Sequence, residues 1–453
     1  MEGIIEKKLK EGIFSDDYEY FFSFLTDRFE AMVGLWINEL EKRFNKKFKP
    51  IWVLSTKQKE SLMKDKENYI IINTLIEEKF SDLKNRGNNL CIQEEPDDLN
   101  RLFSNSKTVK NIIDRLAEKQ DRIFILSWTN VFFSFDNPKI IFLGPKPEIV
   151  FRFDSKVEQI NVFKELNLPR NESKIYENIT DIEEKERYPF FISATYSSGG
   201  FENGPIFSKQ DLEKFNSNLR LNNKYNKFVV SKLIKDVKHS PNVSCIVLGE
   251  NKTQIICITD QILRQHKYLG NIYPSILSDE IKDKIIEVSK KIGNYMSFSS
   301  FRGVFGLDFI VDSKNNLYTV DLNPRRQGGY LCNVLMSNKI NLIELELKIA
   351  LGEELSLPSY EDFQVDYIWG HVKLKPYYDF TTINSDFDEG NVTLPFTNKG
   401  SIFKVLYYPT DSIFFGGCVG YLIKSGDSYK EVLKCILSES ETIISECFNL
   451  YTI

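Results

Sequence analysis

Residues 303–325 constrain what this chain can fold into more than any other stretch. Gly303-Val304-Phe305-Gly306-Leu307-Asp308-Phe309-Ile310-Val311 alternates apolar side chains, Asp312-Ser313-Lys314-Asn315-Asn316 is turn chemistry, and Leu317-Tyr318-Thr319-Val320-Asp321-Leu322 alternates again. Period-two alternation on both arms of a short polar connector predicts a β-hairpin. Asp308 lies on one arm, and Asp321 and Asn323, two residues apart, share one side of the returning arm. Two carboxylates and an amide oxygen across a hairpin make an all-oxygen donor set, which suits Mg²⁺ and the phosphate oxygens that ion carries. Pro324-Arg325-Arg326-Gln327-Gly328-Gly329 follows directly. An arginine there can stabilise charge on a phosphoryl group in transfer, and glycines let the backbone approach a ligand closely. A lone acidic residue near a turn is usually loop chemistry; the length and order of the whole string point to a site.

Composition removes several other chemistries. The chain has 453 residues, with 59 Lys+Arg against 64 Asp+Glu and a formal charge of −5. A mildly acidic chain is a poor candidate for sequence-independent nucleic-acid binding, so no nucleic-acid partner is expected. Only three histidines are present, which argues against a His-rich zinc centre; His239, His266 and His371 read as ordinary hydrogen-bond partners. The seven cysteines are scattered without a C-x-x-C pair, which points to a reduced, cytoplasmic protein. No run of 18 apolar residues occurs and residues 1–8 lack an apolar segment, so neither a membrane partner nor a signal peptide is expected.

The pattern along the chain predicts an α/β fold of several domains. Residues 1–45 read as helical from apolar spacing at Tyr20, Phe21, Phe24, Leu25, Phe29, Met32, Leu35 and Trp36. Strands are expected at 51–54, 69–72, 122–128 and 139–143, with helices at 58–66, 74–86 and 108–119 and a loop over 88–107. A helix is expected over 154–166, capped by Asp154 or Ser155. Further strands are expected at 190–194, 228–233, 243–248, 366–374 and 402–408. Helices are expected at 209–216, 279–295, 342–351 and about 428–448. The expected division is an N-terminal α/β domain over 1–150, a small subdomain over 151–235 and a large one over 236–453.

The string from Gly303 to Arg325 resembles the C-terminal signature of ATP-grasp enzymes, in which G-x-D-hydrophobic, a turn and y-x-x-E-x-N-x-R follow in order. The resemblance extends over about 156–345. Asp154-Ser155-Lys156 followed by Asn167-Leu168-Pro169 is similar to the family's opening motif. Tyr188-Pro189-Phe190-Phe191-Ile192-Ser193 is similar to its next strand, with Ser193 where a second phosphate-binding lysine is usual. Ser197-Ser198-Gly199-Gly200 with Gly204 resembles its phosphate-covering loop, though a plain flexible turn reads the same. Phe228–Ile234 resembles its adenine-binding hinge, with Ser231 where Glu is frequent and Asp321 where Glu is frequent on the hairpin.

The resemblance implies an ATP-grasp fold with an N-terminal α/β domain, and ATP and Mg²⁺ as cofactors. It implies Asp308, Asp321 and Asn323 as metal ligands and Lys156, Ser197, Ser198, Gly199, Gly200, Ser231, Lys232, Leu233 and Ile234 as nucleotide contacts. Arg325 is implied as the residue on the transferring phosphate, and Arg302 is a second basic candidate, for which a surface ion pair is an equal reading. Lys373 on the strand 369–375 could face the site or solvent. The implied activity is ligation of a small carboxylic acid, amino acid or peptide to an amine through an acyl phosphate, with ADP as product. Small-molecule carboxylate and amine partners follow, and the resemblance is compatible with a homodimer. Two other classes stay open. One is a nucleotide-binding regulatory protein with altered catalysis, favoured by Ser193 and Ser231. The other is a phosphotransferase that stops at a phosphorylated product.

Overall fold

The structure, a computed structural model, describes residues 14–24, 30–55, 69–72, 90–92, 107–127, 137–198, 201–217, 219, 227–264, 267–336, 339–374, 380–383, 402–406 and 420–450. The helices expected at 58–66 and 74–86 lie outside these residues, as do Gly199, Gly200 and His266.

The N-terminal sheet is parallel throughout. Its strands are Glu19–Ser23 (β1), Phe48–Ser55 (β2), Tyr69–Ile72 (β3), Leu90–Ile92 (β4), Ile123–Leu126 (β5) and Ile140–Phe142 (β6), in the order β4-β3-β2-β1-β5-β6. The order reverses between β1 and β5, as in doubly wound sheets. Tyr20, Phe21 and Phe22 belong to β1, while Glu30–Phe44 is helical. This corrects the helical reading of residues 19–23. Both faces of β1 are covered, so its apolar residues run continuously and mimic a helical stripe. The Gln120 side chain fixes the strand, accepting from the Tyr20 amide at 2.9 Å and donating to the Tyr20 carbonyl at 3.0 Å.

The second sheet holds Ser173–Tyr176 (β7), Phe190–Ser198 (β8), Phe201–Ile206 (β9) and Phe228–Lys232 (β10), in the order β7-β10-β8-β9. The third is nine-stranded. Val237–His239 (β11), Pro241–Gly249 (β12), Lys252–Arg264 (β13), Lys267–Tyr273 (β14), Gly303–Asp312 (β15), Leu317–Asn323 (β16) and Ile368–Leu374 (β17) belong to it. Phe380–Ile383 (β18) leaves it, Ile402–Leu406 (β19) and Gly420–Gly426 (β20) complete it, and β18 pairs with Phe448–Leu450 (β21). The long strand β13 has no counterpart among the sequence expectations. It is buried over eight consecutive residues, and a strand covered on both faces does not alternate.

Three helices position the site. Pro147–Asp154 is a separate helix, absent from the expected elements and opened by a proline in its first turn. Ser155 is extended, and its Oγ accepts from the Glu158 amide to start Lys156–Glu165. That break places Lys156 on the first turn of a new helix. Gln159 of the same helix grips the hairpin, donating to the Leu322 carbonyl at 2.6 Å and accepting from its amide at 3.2 Å. Asp279–Phe298 lies across β12 and β13 and buries Ile285, Ile292 and Met296 against Phe305 and Leu307.

The helix Glu30–Phe44 joins the N-terminal sheet to the large one. Trp36 and Leu40 are fully buried in one cluster with Leu126 and Leu143 on one side and Tyr330, Leu342 and Leu347 on the other. Two glycines separate packing from propensity. A methyl group at Gly270 would stand 1.8 Å from the His371 carbonyl oxygen across the β14–β17 ladder, whereas nothing lies within 4 Å of one at Gly34. Gly270→Ala should cost at least about 1–3 kcal/mol by forcing the strands apart. Gly34→Ala, inside a helix, should stabilise by roughly 0.5–1 kcal/mol. Denaturant titration of the two variants checks both signs.

Candidate active site

The expected hairpin is β15–β16, and its register sets Asp308 opposite Asp321 and Gly306 opposite Asn323. A bulge after Asp308 twists the ladder at that point. Asp308 is hydrogen-bonded on three sides. Its Oδ1 accepts from Asn242 Nδ2 at 2.5 Å and Gln261 Nε2 at 2.9 Å, and its Oδ2 accepts from Asn323 Nδ2 at 3.2 Å. Lys156, nearly buried, forms an ion pair with Asp321. Desolvation and the neighbouring Asp321 carboxylate push the Asp308 carboxyl up to about 6, against the pull of its amide donors and Lys156. Two carboxylates paired across one rung favour a cation between them.

The chain after Asn323 is held residue by residue. Arg325 Nη2 donates to Asn323 Oδ1 at 3.0 Å and Nη1 to the Arg326 carbonyl at 3.4 Å. Arg326 turns the other way and is buried. The Gln327 side chain lies flat on Gly306, where a methyl group would meet its Oε1 at 1.8 Å, and it accepts from Asn242 Nδ2 at 2.9 Å. A methyl group at Gly328 would stand 2.6 Å from the Tyr268 hydroxyl, and one at Gly329 would stand 3.5 Å from Asn271 Oδ1.

Comparisons with known proteins bear on the fold. A family model described as "L-aspartate--L-methionine ligase, ATP grasp" matches residues 169–323. The chain has the ATP-grasp fold. It superposes on biotin carboxylase of Campylobacter jejuni with a TM-score of 0.63 at 18% identity, covering 92% of this chain and 89% of that one. It superposes on an L-amino acid ligase of Bacillus licheniformis with a TM-score of 0.60 at 13% identity, covering 96% and 98%. Biotin carboxylase 2 of Bacillus subtilis is 23% identical over 236 residues, 50% of this chain and 52% of that protein. The chain thus spans about half the length of biotin carboxylase 2 and 19% of the pyruvate carboxylases it also matches, and resembles ATP-grasp carboxylate–amine ligases.

Within this ATP-grasp frame, Lys156, Asp308, Asp321, Asn323 and Arg325 come together. The other described residues of the expected set belong to other elements. Ser197 and Ser198 end β8, and the buried Ser197 Oγ has no hydrogen-bond partner among the described residues. Ser231 Oγ lies 2.9 Å from Ser173 Oγ. The Lys232 amide donates to the Glu172 carbonyl at 3.1 Å, and its carbonyl accepts from the Asn171 side chain. Leu233 and Ile234 run between the second and third sheets. Arg302 caps the helix Asp279–Phe298, donating to the carbonyls of Ser297 at 3.0 Å and Phe301 at 2.7 Å. It stands about 20 Å from Asp308 along β15 at the usual strand rise.

Asn242, Gln261, Gln159 and Gln327 were not singled out from the sequence. Their partners lie tens of residues away, so no local spacing marks them. His371 is buried, its Nε2 3.3 Å from the Tyr268 hydroxyl and its Nδ1 without a partner. Burial, with Lys373 nearby, drives it down to about 3, so it is neutral at physiological pH. Among the described residues no group of three or more His, Cys, Asp or Glu side chains stands together. A metal here would draw on Asp308, Asp321 and the Asn323 amide oxygen. That oxygen-only set fits Mg²⁺, and the orphaned Ser197 hydroxyl fits a phosphate oxygen. No helix among the described residues is long and apolar enough to cross a membrane.

The raised carboxyl has a consequence for stability. Its folded value of about 6 exceeds the ordinary 3.8, so its contribution is fully present below about 3.8 and is lost as pH rises through about 6. Metal-free wild type should therefore lose about 1–3 kcal/mol relative to Asp308→Asn between pH 4 and 7. Parallel denaturant titrations across that range check the sign.

Proposed function

We propose that this chain is an ATP-dependent, ADP-forming carboxylate–amine ligase that activates an amino acid or another small carboxylate and joins it to an amine. The observation that carries this reading is the convergence of Lys156, Asp308, Asp321, Asn323 and Arg325 at one end of the β15–β16 hairpin. The family model named for an L-aspartate–L-methionine ligase and the fold shared with an L-amino acid ligase support an amino acid as the carboxylate.

In this reading residues 1–150 are the domain preceding the grasp core, 151–235 the subdomain over the nucleotide and 236–453 the large subdomain. ATP is the phosphoryl donor, and Asp308, Asp321 and Asn323 would hold Mg²⁺, which would supply charge neutralisation at the phosphates. Lys156 exchanges its pairing with Asp321 for phosphate oxygens. Ser197, Ser198, Gly199 and Gly200 close over the phosphates. Because the Lys232 amide and carbonyl are engaged within the protein, the adenine edge falls to Leu233 and Ile234. Arg325 stabilises the phosphoryl group as it passes to the substrate carboxylate, and the amine then displaces phosphate from the acyl phosphate. No protein nucleophile is needed, since positioning and charge neutralisation account for the chemistry. The macromolecular partner this reading adds is a second copy of the chain.

Purified protein incubated with Mg·ATP and pooled amino acids and small acids should release ADP and phosphate only when an amine is present. AMP and pyrophosphate would overturn the reading. ADP with a phosphorylated product and no amine requirement would make the protein a phosphotransferase. Binding of ATP with no turnover would favour a regulatory role. Asp321→Ala and Asn323→Ala should each abolish Mg²⁺-dependent ADP release with circular dichroism unchanged. Arg325→Ala should lower kcat by about 10²–10³-fold while calorimetric ATP affinity stays nearly constant, because its contact strengthens in the transition state.

A further inference from the structure

Arg326 is the most thoroughly engaged cation among the described residues near the site, and the proposed reaction gives it no part. Its guanidinium is buried, with the side chain 4% exposed and that of Glu346 1% exposed. It donates to Glu346 at 2.7 and 3.3 Å, to the Ser127 carbonyl at 2.8 Å and to the Leu143 carbonyl at 2.7 Å. The Trp36 and Tyr330 rings flank it at 5.5 and 5.4 Å, and the Tyr330 hydroxyl also bonds Glu346. Ser127 and Leu143 directly follow β5 and β6, so the fork ties the carboxyl ends of two strands of the N-terminal sheet to the chain segment that carries Arg325.

A buried ion pair is a poor device for stability alone, since apolar residues of similar volume often serve as well. What the planar fork adds is a fixed direction for four hydrogen bonds. Arg325, by contrast, is held only by its neighbours, through Asn323 Oδ1 and the Arg326 carbonyl. We propose that Arg326 is a positioning residue, which fastens the N-terminal sheet to the 324–330 segment and thereby sets where the Arg325 guanidinium stands. This rests on the reading of Arg325 as the phosphate-contacting residue. Arg326 itself touches no reacting group.

The test combines a mutant cycle with amide exchange. Arg326→Lys keeps the charge opposite Glu346 but loses the fork. It should lower kcat for ADP release about 10–100-fold with ATP affinity within about threefold, in proportion to a displaced transition-state contact. In an Arg325→Ala background the same substitution should cost nothing further, whereas multiplicative losses would overturn the proposal. Amide hydrogen exchange should quicken both in 324–331 and around Ser127 and Leu143; unchanged exchange would overturn it. Should Arg326→Lys fail to fold, Arg326→Met with Glu346→Met removes both charges together. The proposal then expects a stable protein that still turns over slowly, and wild-type kcat would reduce Arg326 to a structural role. A wild type that releases no ADP removes the ligase reading, while the exchange measurement still decides whether Arg326 joins the two segments.

Discussion

Asp308 and Asp321 repel each other across one rung of a hairpin, both half-buried. That repulsion explains the company they keep. Asn242, Gln261 and Asn323 turn donor groups onto Asp308, and Lys156 brings its ammonium to Asp321. Each of these groups comes from a different element, so the pair dictates how β12, β13, β16 and the helix Lys156–Glu165 approach one another. A structural core would hardly retain such an arrangement, since half-satisfied buried charge costs more than apolar packing. In the proposed reading, a divalent cation and a polyphosphate occupy it.

The same logic extends outward from the hairpin. Gln159 locks the Lys156 helix to the Leu322 backbone, so the lysine and the carboxylate it meets share one rigid support. Gln327 pressed on Gly306 and Gly328 pressed on Tyr268 leave the segment after Asn323 little freedom. Such preorganisation lets a charged side chain act without first being ordered. The N-terminal sheet takes part in this support through Arg326, because its carboxyl ends meet the segment directly. Domain packing and site geometry are therefore one problem in this molecule.

The hairpin, its two carboxylates, Asn323, Lys156 and Arg325 were legible as a chemical set because they lie in ordered local strings. Alternation over 303–322 survives in the sequence since β15 and β16 are partly exposed where the polar residues stand. Strands buried on both faces left no such trace. β1 passed for part of a helix, and β13, whose buried run mixes Thr253, Gln254, Thr259 and Asp260 with apolar residues, went unmarked for want of alternation. Ser155 illustrates a different limit. It was recognisable as a cap, but the helix Pro147–Asp154 before it was not among the expected elements. Arg302 was a reasonable candidate by charge and neighbourhood, yet the carbonyls at the end of Asp279–Phe298 claim its guanidinium.

By itself the sequence determined the class of chemistry. Residue types and local spacing decide which atoms can ligate a hard cation or meet a phosphate, and these are short-range properties of the chain. Only the tertiary structure decided what becomes of the second of two adjacent arginines. Spacing from Asn323 marks Arg325, whereas nothing within a few residues of Arg326 tells that its guanidinium is buried against the N-terminal sheet. What separates them is Glu346 and the carbonyls of Ser127 and Leu143, groups brought to one of the two side chains from distant parts of the chain. Burying a guanidinium is tolerable only where such partners complete its hydrogen bonds, and only the folded chain supplies them.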